Sequence, residues 1–200
     1  FEALWTKLNA FSNEPEHAQK KFILSTDEEE RYKLPPFGIF GFKEFQSENT
    51  GDAVGKGNQV SMKNGDCCSK LTFHKRVPAE RFPGGCKAEM KAYFDSLLEI
   101  SKHILEFTLP SLGFSNEDVA KLKNHVSDDV ILRYLTYPSY HAKANGSSVR
   151  MAPHTDLTFF TLLNQTPAEN GFVSMQAKLG GQQEWVPIPA IRGTILVQMG

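Results

Sequence analysis

The stretch Ala152-Pro153-His154-Thr155-Asp156-Leu157-Thr158-Phe159-Phe160-Thr161-Leu162-Leu163 sets an imidazole and a carboxylate two residues apart, directly ahead of an apolar run. Read as a strand, side chains alternate between faces, so His154 and Asp156 share one face about 7 Å apart along the chain. Both can then reach one metal ion. Two histidines and one carboxylate on one face of Fe(II) leave positions open for substrate and O2. The spacing alone is weak: roughly one chain in four of this size and composition carries an H-x-D by chance. Its surroundings say more. An Asp carboxylate in so apolar a strand is costly to bury unless something pairs with it. A metal supplies that pairing, and so does a His–Asp hydrogen bond at the strand's edge; the local chemistry leaves both open. Phe160 falls on the Asp156 face by the same alternation, to line a pocket or to pack in the core.

Working outward, the pattern around this stretch is β. Residues 130–137 are rich in branched and aromatic side chains, and Asn145-Gly146 marks a turn in the loop over 138–148. Residues 172–178 and 184–188 flank Gly180-Gly181 as a hairpin, and 194–199 reads as a last strand. Before His125 the pattern is helical. Met90, Tyr93, Phe94, Leu97, Leu98, Ser101, Ile104 and Leu105 recur at three- and four-residue steps, predicting a helix over 87–107 whose stripe is core packing rather than a cofactor surface. Pro110 and Gly113 end it, and Ser115 with Asp118 opens another through about Asn124. Leu4, Trp5 and Leu8 have helical spacing, and Asn13 offers a cap for a second short helix with Pro15 in its first turn.

The acidic run at Asp27, Glu28, Glu29 and Glu30 reads as a solvated face or loop. Pro35-Pro36, Gly38 and Gly41 punctuate an extended, Phe-rich stretch. Residues 47–64 are polar and glycine-bearing, a mobile loop fit to cover a site. Helices first and antiparallel strands afterwards predict an α+β fold: a mainly helical region over 1–126, then a strand-rich sandwich or jelly roll over 127–200.

Composition sets the outer bounds. Two hundred residues with 40% hydrophobic content bury one good core. A formal net charge of -1, from 22 basic and 23 acidic residues, argues against nucleic acid or an anionic membrane surface as the main partner. The apolar runs are too short to span a bilayer. Cys67, Cys68 and Cys86 lack CxxC spacing, which argues against a disulfide framework or zinc knuckle and for reduced thiols in a cytoplasmic setting.

Three segments, in order, resemble the 2-oxoglutarate/Fe(II)-dependent dioxygenase superfamily, specifically its isopenicillin-N-synthase-like branch. The first is Leu132-Arg133-Tyr134-Leu135-Thr136-Tyr137-Pro138. The second is Ala152-Pro153-His154-Thr155-Asp156 with Phe160-Thr161-Leu162-Leu163 behind it. The third comprises Gly171-Phe172-Val173, then Glu184-Trp185-Val186-Pro187-Ile188-Pro189, then Gly193-Thr194-Ile195-Leu196-Val197-Gln198-Met199-Gly200. The resemblance implies a double-stranded β-helix (jelly-roll) core over 127–200, with His154 and Asp156 as Fe(II) ligands. It implies 2-oxoglutarate as co-substrate, O2, and a small organic molecule oxidised by hydroxylation, desaturation or ring closure. It aligns Tyr137 with a tyrosine that faces co-substrate or substrate; the alternative is a ring that packs with its hydroxyl partnered.

The family's third ligand, a His, and the Arg that holds 2-oxoglutarate lie downstream of H-x-D, beyond Gly200 here. His17, His74, His103, His125 and His141 all precede the motif and read as surface or hydrogen-bonded histidines. The expectation is therefore a copy of a longer enzyme, incomplete at its C-terminal side and inactive as it stands. Two rivals accompany it: an iron oxidase of the same branch that needs no 2-oxoglutarate, and a metal-free binding module.

Overall fold

Leu4, Leu8 and Phe11 come round to one face of helix α1 (Glu2–Ser12), and that face is buried. The computed structural model describes residues 1–34, 41–43, 67–126, 130–137, 150–156, 158–168, 170–178, 180 and 184–200. The expected loop over 47–64, the Pro35-Pro36 and Gly38 stretch, the Asn145-Gly146 turn and His141 lie outside the described residues. The chain divides into two compact units, Phe1–His154 and Thr155–Gly200. Helices and antiparallel strands together make the fold α+β.

In the first unit α1 is followed by α2 (Glu16–Gln19) and α3 (Thr26–Arg31), then by strands β1 (Gly41–Lys43) and β2 (Ser69–Phe73). The long helix α4 (Lys87–Thr108) and α5 (Asn116–His125) lead to β3 (Leu132–Thr136). The three strands form one antiparallel sheet in the order β1-β2-β3, with Leu71 opposite both Phe42 and Tyr134. Leu4, Leu8 and Phe11 of α1, Phe42, Leu71 and Phe73 of the sheet, and Met90 and Phe94 of α4 share one buried cluster. Fully burying each such side chain contributes about 1.5–3 kcal/mol.

Helix α4 runs one residue past its predicted end, burying Met90, Phe94, Ser101 and Leu105 of the expected stripe. A 3-10 turn over Pro110–Leu112 and Gly113, at φ 89°, stop it. The Ser115–Asp118 pair is a full capping box, with the Asp118 N–H donating to Ser115 Oγ at 3.2 Å.

One expectation is corrected. Asn13 caps the end of α1 instead of opening α2: its side-chain amide donates to the Asn9 carbonyl at 2.8 Å, and Pro15 takes the N-cap position of α2. The acidic run lies on α3 with Asp27 and Glu30 exposed, a solvated face rather than a loop; Asp27, Glu28 and Glu29 form the first turn, closed by a Ser25–Glu28 capping box, and carboxylates there complement the positive end of the helix. Glu28 is also gripped by Arg81 at 3.0 Å, and the Ser25 backbone N–H, helped by that guanidinium, holds its carboxyl below the usual value. Residues 1–126 also hold strands β1 and β2. Strand β2 is central and buried on both faces, Lys70 and Thr72 included, although its sequence alternates polar and apolar over Lys70-Leu71-Thr72-Phe73.

Gly41 shows how tightly β1 is fitted. It has φ 73°, pairs with Ile23 in an isolated bridge, and a Cβ there would lie 2.4 Å from the Phe22 carbonyl oxygen.

In the second unit β4 (Phe160–Leu163) pairs antiparallel with β7 (Leu196–Met199), and β5 (Met175–Ala177) with β6 (Val186–Ile188). The predicted hairpin is thus present as the β5–β6 pair. Each pair is a two-stranded sheet, small and unclosed.

Candidate metal site

His154 closes the first unit and Asp156 lies at the start of the second, so each takes its environment from different elements. The expected strand does not extend over them. Residues 152–156 have no regular structure, and β4 begins at Phe160. The ladder with β7 reaches back to Phe160, and one further bond joins the Gly200 N–H to the Phe159 carbonyl at 3.2 Å. Without a ladder partner the backbone ahead of Phe159 is not held pleated, so strand alternation does not set the face of His154, nor put Phe160 on the face of Asp156. Phe160 is half-buried, its ring 5.8 Å from that of Phe159.

On the first unit's side, the Arg150 carbonyl accepts from the Cys67 N–H at 2.7 Å, which ties the segment leading to His154 to the chain entering β2. Ala152 is buried. The half-buried His154 ring lies with Nδ1 2.8 Å from the Ala152 carbonyl oxygen. A carbonyl can only accept, so Nδ1 carries the proton and, in the neutral ring, Nε2 bears the lone pair. A backbone carbonyl on Nδ1 is the usual arrangement behind a metal-binding Nε2.

On the second unit's side, Asp156 is half-buried and its Oδ2 accepts from Thr161 Oγ1 at 2.5 Å and from Gln198 Nε2 at 3.2 Å. Thr161 and Gln198 are directly opposite one another in the β4–β7 register. Neither was assigned a role from sequence, although each interrupts an apolar run: Thr161 between Phe160 and Leu162, Gln198 between Val197 and Met199.

Tyr137, just past β3, is 42% exposed, with its hydroxyl 4.0 Å from Met151 Sδ. Of the other histidines, His74 is fully buried and its Nδ1 accepts from the Arg76 N–H at 3.2 Å. His17, His103 and His125 are exposed. Cys67, Cys68 and Cys86 are buried free thiols. Among the described residues no three His, Cys, Asp or Glu side chains cluster closely enough to hold a metal, and no described helix is long and apolar enough to cross a membrane. The donor types of His154 and Asp156, a neutral imidazole with its outer nitrogen satisfied and a hydrogen-bonded carboxylate, fit two positions around Fe(II).

Comparison with known proteins bears on the same stretch. Residues 127–200 match the family model of the 2OG-Fe(II) oxygenase superfamily. Deacetoxycephalosporin C hydroxylase of Streptomyces clavuligerus is 29% identical over 164 residues, covering 80% of this chain and 49% of that protein. Deacetoxycephalosporin C synthase of Amycolatopsis lactamdurans is 30% identical over 183 residues, covering 90% and 55%. An alpha-ketoglutarate dependent kainoid synthase of Digenea simplex is 29% identical over 195 residues, covering 95% and 50%. The chain spans about half the length of these relatives. No solved structure matches it.

Proposed function

Because the chain belongs to the 2OG-Fe(II) oxygenase superfamily, we propose that the protein is a non-haem iron oxygenase acting on a small organic molecule with O2 and 2-oxoglutarate. The observation that carries this is the hydrogen-bond state of His154: its proton sits on Nδ1 against the Ala152 carbonyl, in an H-x-D pair within the family-matched segment. In this reading Fe(II) is held by His154 Nε2 and the Asp156 carboxylate. Bound there, the iron supplies the activation of O2 and the oxidation of 2-oxoglutarate. The chain's own residues orient the ligands.

The same reading makes residues 127–200 the first part of a jelly-roll domain and residues 1–126 an N-terminal region packed from helices and two strands. In this reading Tyr137, which is exposed beside Met151, faces co-substrate or substrate. The relatives named a deacetoxycephalosporin C hydroxylase, a deacetoxycephalosporin C synthase and a kainoid synthase support a small metabolite as substrate; in this reading it is hydroxylated, desaturated or ring-closed, by an enzyme of the isopenicillin-N-synthase-like branch. A cytoplasmic location is part of the same proposal.

The test uses the full-length protein with Fe(II), O2 and 2-oxoglutarate, following succinate release. Turnover is expected, together with its loss in Asp156→Ala. Substrate oxidation without consumption of 2-oxoglutarate would instead favour an iron oxidase that dispenses with it. A folded full-length protein that neither binds iron nor turns over would favour a binding module.

A further inference from the structure

We propose that Thr161 and Gln198 are positioning residues that hold the Asp156 carboxylate by its Oδ2 for metal binding, an inference that rests on the reading of Asp156 as a ligand. The two donors come from different strands yet stand on one rung of the β4–β7 ladder, Thr161 opposite Gln198. Directly opposite residues project to the same face, so the pairing register itself brings a hydroxyl and an amide to one carboxylate oxygen. A slip of one residue would turn Gln198 to the other face and undo this.

The chemistry is asymmetric in a useful way. At 2.5 Å the Thr161 bond falls in the range of a hydroxyl donating to a charged carboxylate. Thr161 has one proton to give, so the 3.3 Å contact between its Oγ1 and Thr158 Oγ1 must be donated by Thr158. The result is a short directed chain, Thr158 to Thr161 to Asp156, with Gln198 as a second donor at the same oxygen. Two donors on one oxygen fix the carboxylate's rotation and bias it against chelating a metal through both oxygens. A ligand fixed before the metal arrives loses less conformational freedom on binding, and partners of this type commonly change metal affinity about 10–100-fold.

The test is a titration of the full-length protein with Co(II) alone, without 2-oxoglutarate, read from the metal's visible absorption bands. Thr161→Val keeps the branched shape but removes the donor; it is expected to weaken Co(II) binding about 10–100-fold while the melting temperature of the metal-free protein stays at the parent value. Thr161→Ser, which restores the hydroxyl, is expected to recover binding, and Gln198→Leu to weaken it. Parent-like Co(II) affinity in Thr161→Val, alongside lost affinity in Asp156→Ala, would overturn the positioning role and leave the metal site standing. Parent-like affinity in Asp156→Ala would overturn both. Should Thr161→Val fail to fold, Gln198→Leu decides by the same titration.

Discussion

Phe73 and Phe172 are the same side chain at opposite extremes, 1% and 66% exposed. Phe73 sits on the central strand of a three-stranded sheet, in one buried cluster with α1 and α4, its ring 5.1 Å from Phe82 and 5.7 Å from Phe94. Phe172 belongs to the unit over 155–200, where none of the described residues is buried. Both units are rich in Phe, Leu, Val and Met, so composition does not separate them. Layering does. A sheet of three strands faced by helices encloses a core, whereas a two-stranded ladder gives each strand a single neighbour and is marginal by itself.

The strongest way to break this comparison is to truncate the two phenylalanines in turn. Phe73→Ala is expected to destabilise the first unit by about 3–5 kcal/mol, measured by urea unfolding, because the closely packed site cannot collapse around the void. A loss below about 1 kcal/mol there would show that the cluster is not close-packed.

Next in size is an alkaline effect. Burial pushes the Cys86 thiol from its ordinary 9.0 up to about 11. The unfolded chain therefore loses this proton first. The thiol's contribution is complete below pH 9 and declines as the pH rises toward 11, by about 2–3 kcal/mol in all. Unfolding measured from pH 8 to pH 11 should show this slope reduced in Cys86→Ala; an identical slope would remove Cys86 from the account.

A smaller effect sharpens the role of local signals within the well-packed unit. Ser115→Ala should cost about 1 kcal/mol by loss of the α5 cap, and Ser115→Thr, whose hydroxyl can still accept from the Asp118 N–H and donate to its carboxylate, should keep most of it, again by urea unfolding. Phe172→Ala closes the series, with a change within about 0.5 kcal/mol. A cost comparable to that of Phe73→Ala would mean that Phe172 is covered by something in the intact protein, and the contrast between units would fail.

What could be read ahead of the structure follows the range of the interaction behind each feature. Helix α4 and the Ser115–Asp118 box were legible because apolar steps of three and four residues, and caps spanning three, are written within one turn. The Ser25–Glu28 box was equally local, but four acidic residues in a row masked it as a solvated face. Strand β2 carries a short alternation, Lys70-Leu71-Thr72-Phe73, which by itself would turn Lys70 and Thr72 toward solvent; both are buried, and nothing within the strand announces that. The H-x-D pair was visible as a spacing, but the strand assumed beneath it was not there, since β7 pairs with β4 from Phe160 onward and not with residues 152–156.

By itself the sequence determined the α+β class, the long helix, the capping box of α5, the β5–β6 pair, and the adjacency of His154 and Asp156. All rest on periodicity, turn chemistry or covalent spacing over a few residues. Tertiary structure alone decided that β2 is central and that Thr161 and Gln198 converge on Asp156. The Thr161–Gln198 pairing joins strands far apart in the chain. Its energy depends on register, and register emerges only when the two strands meet.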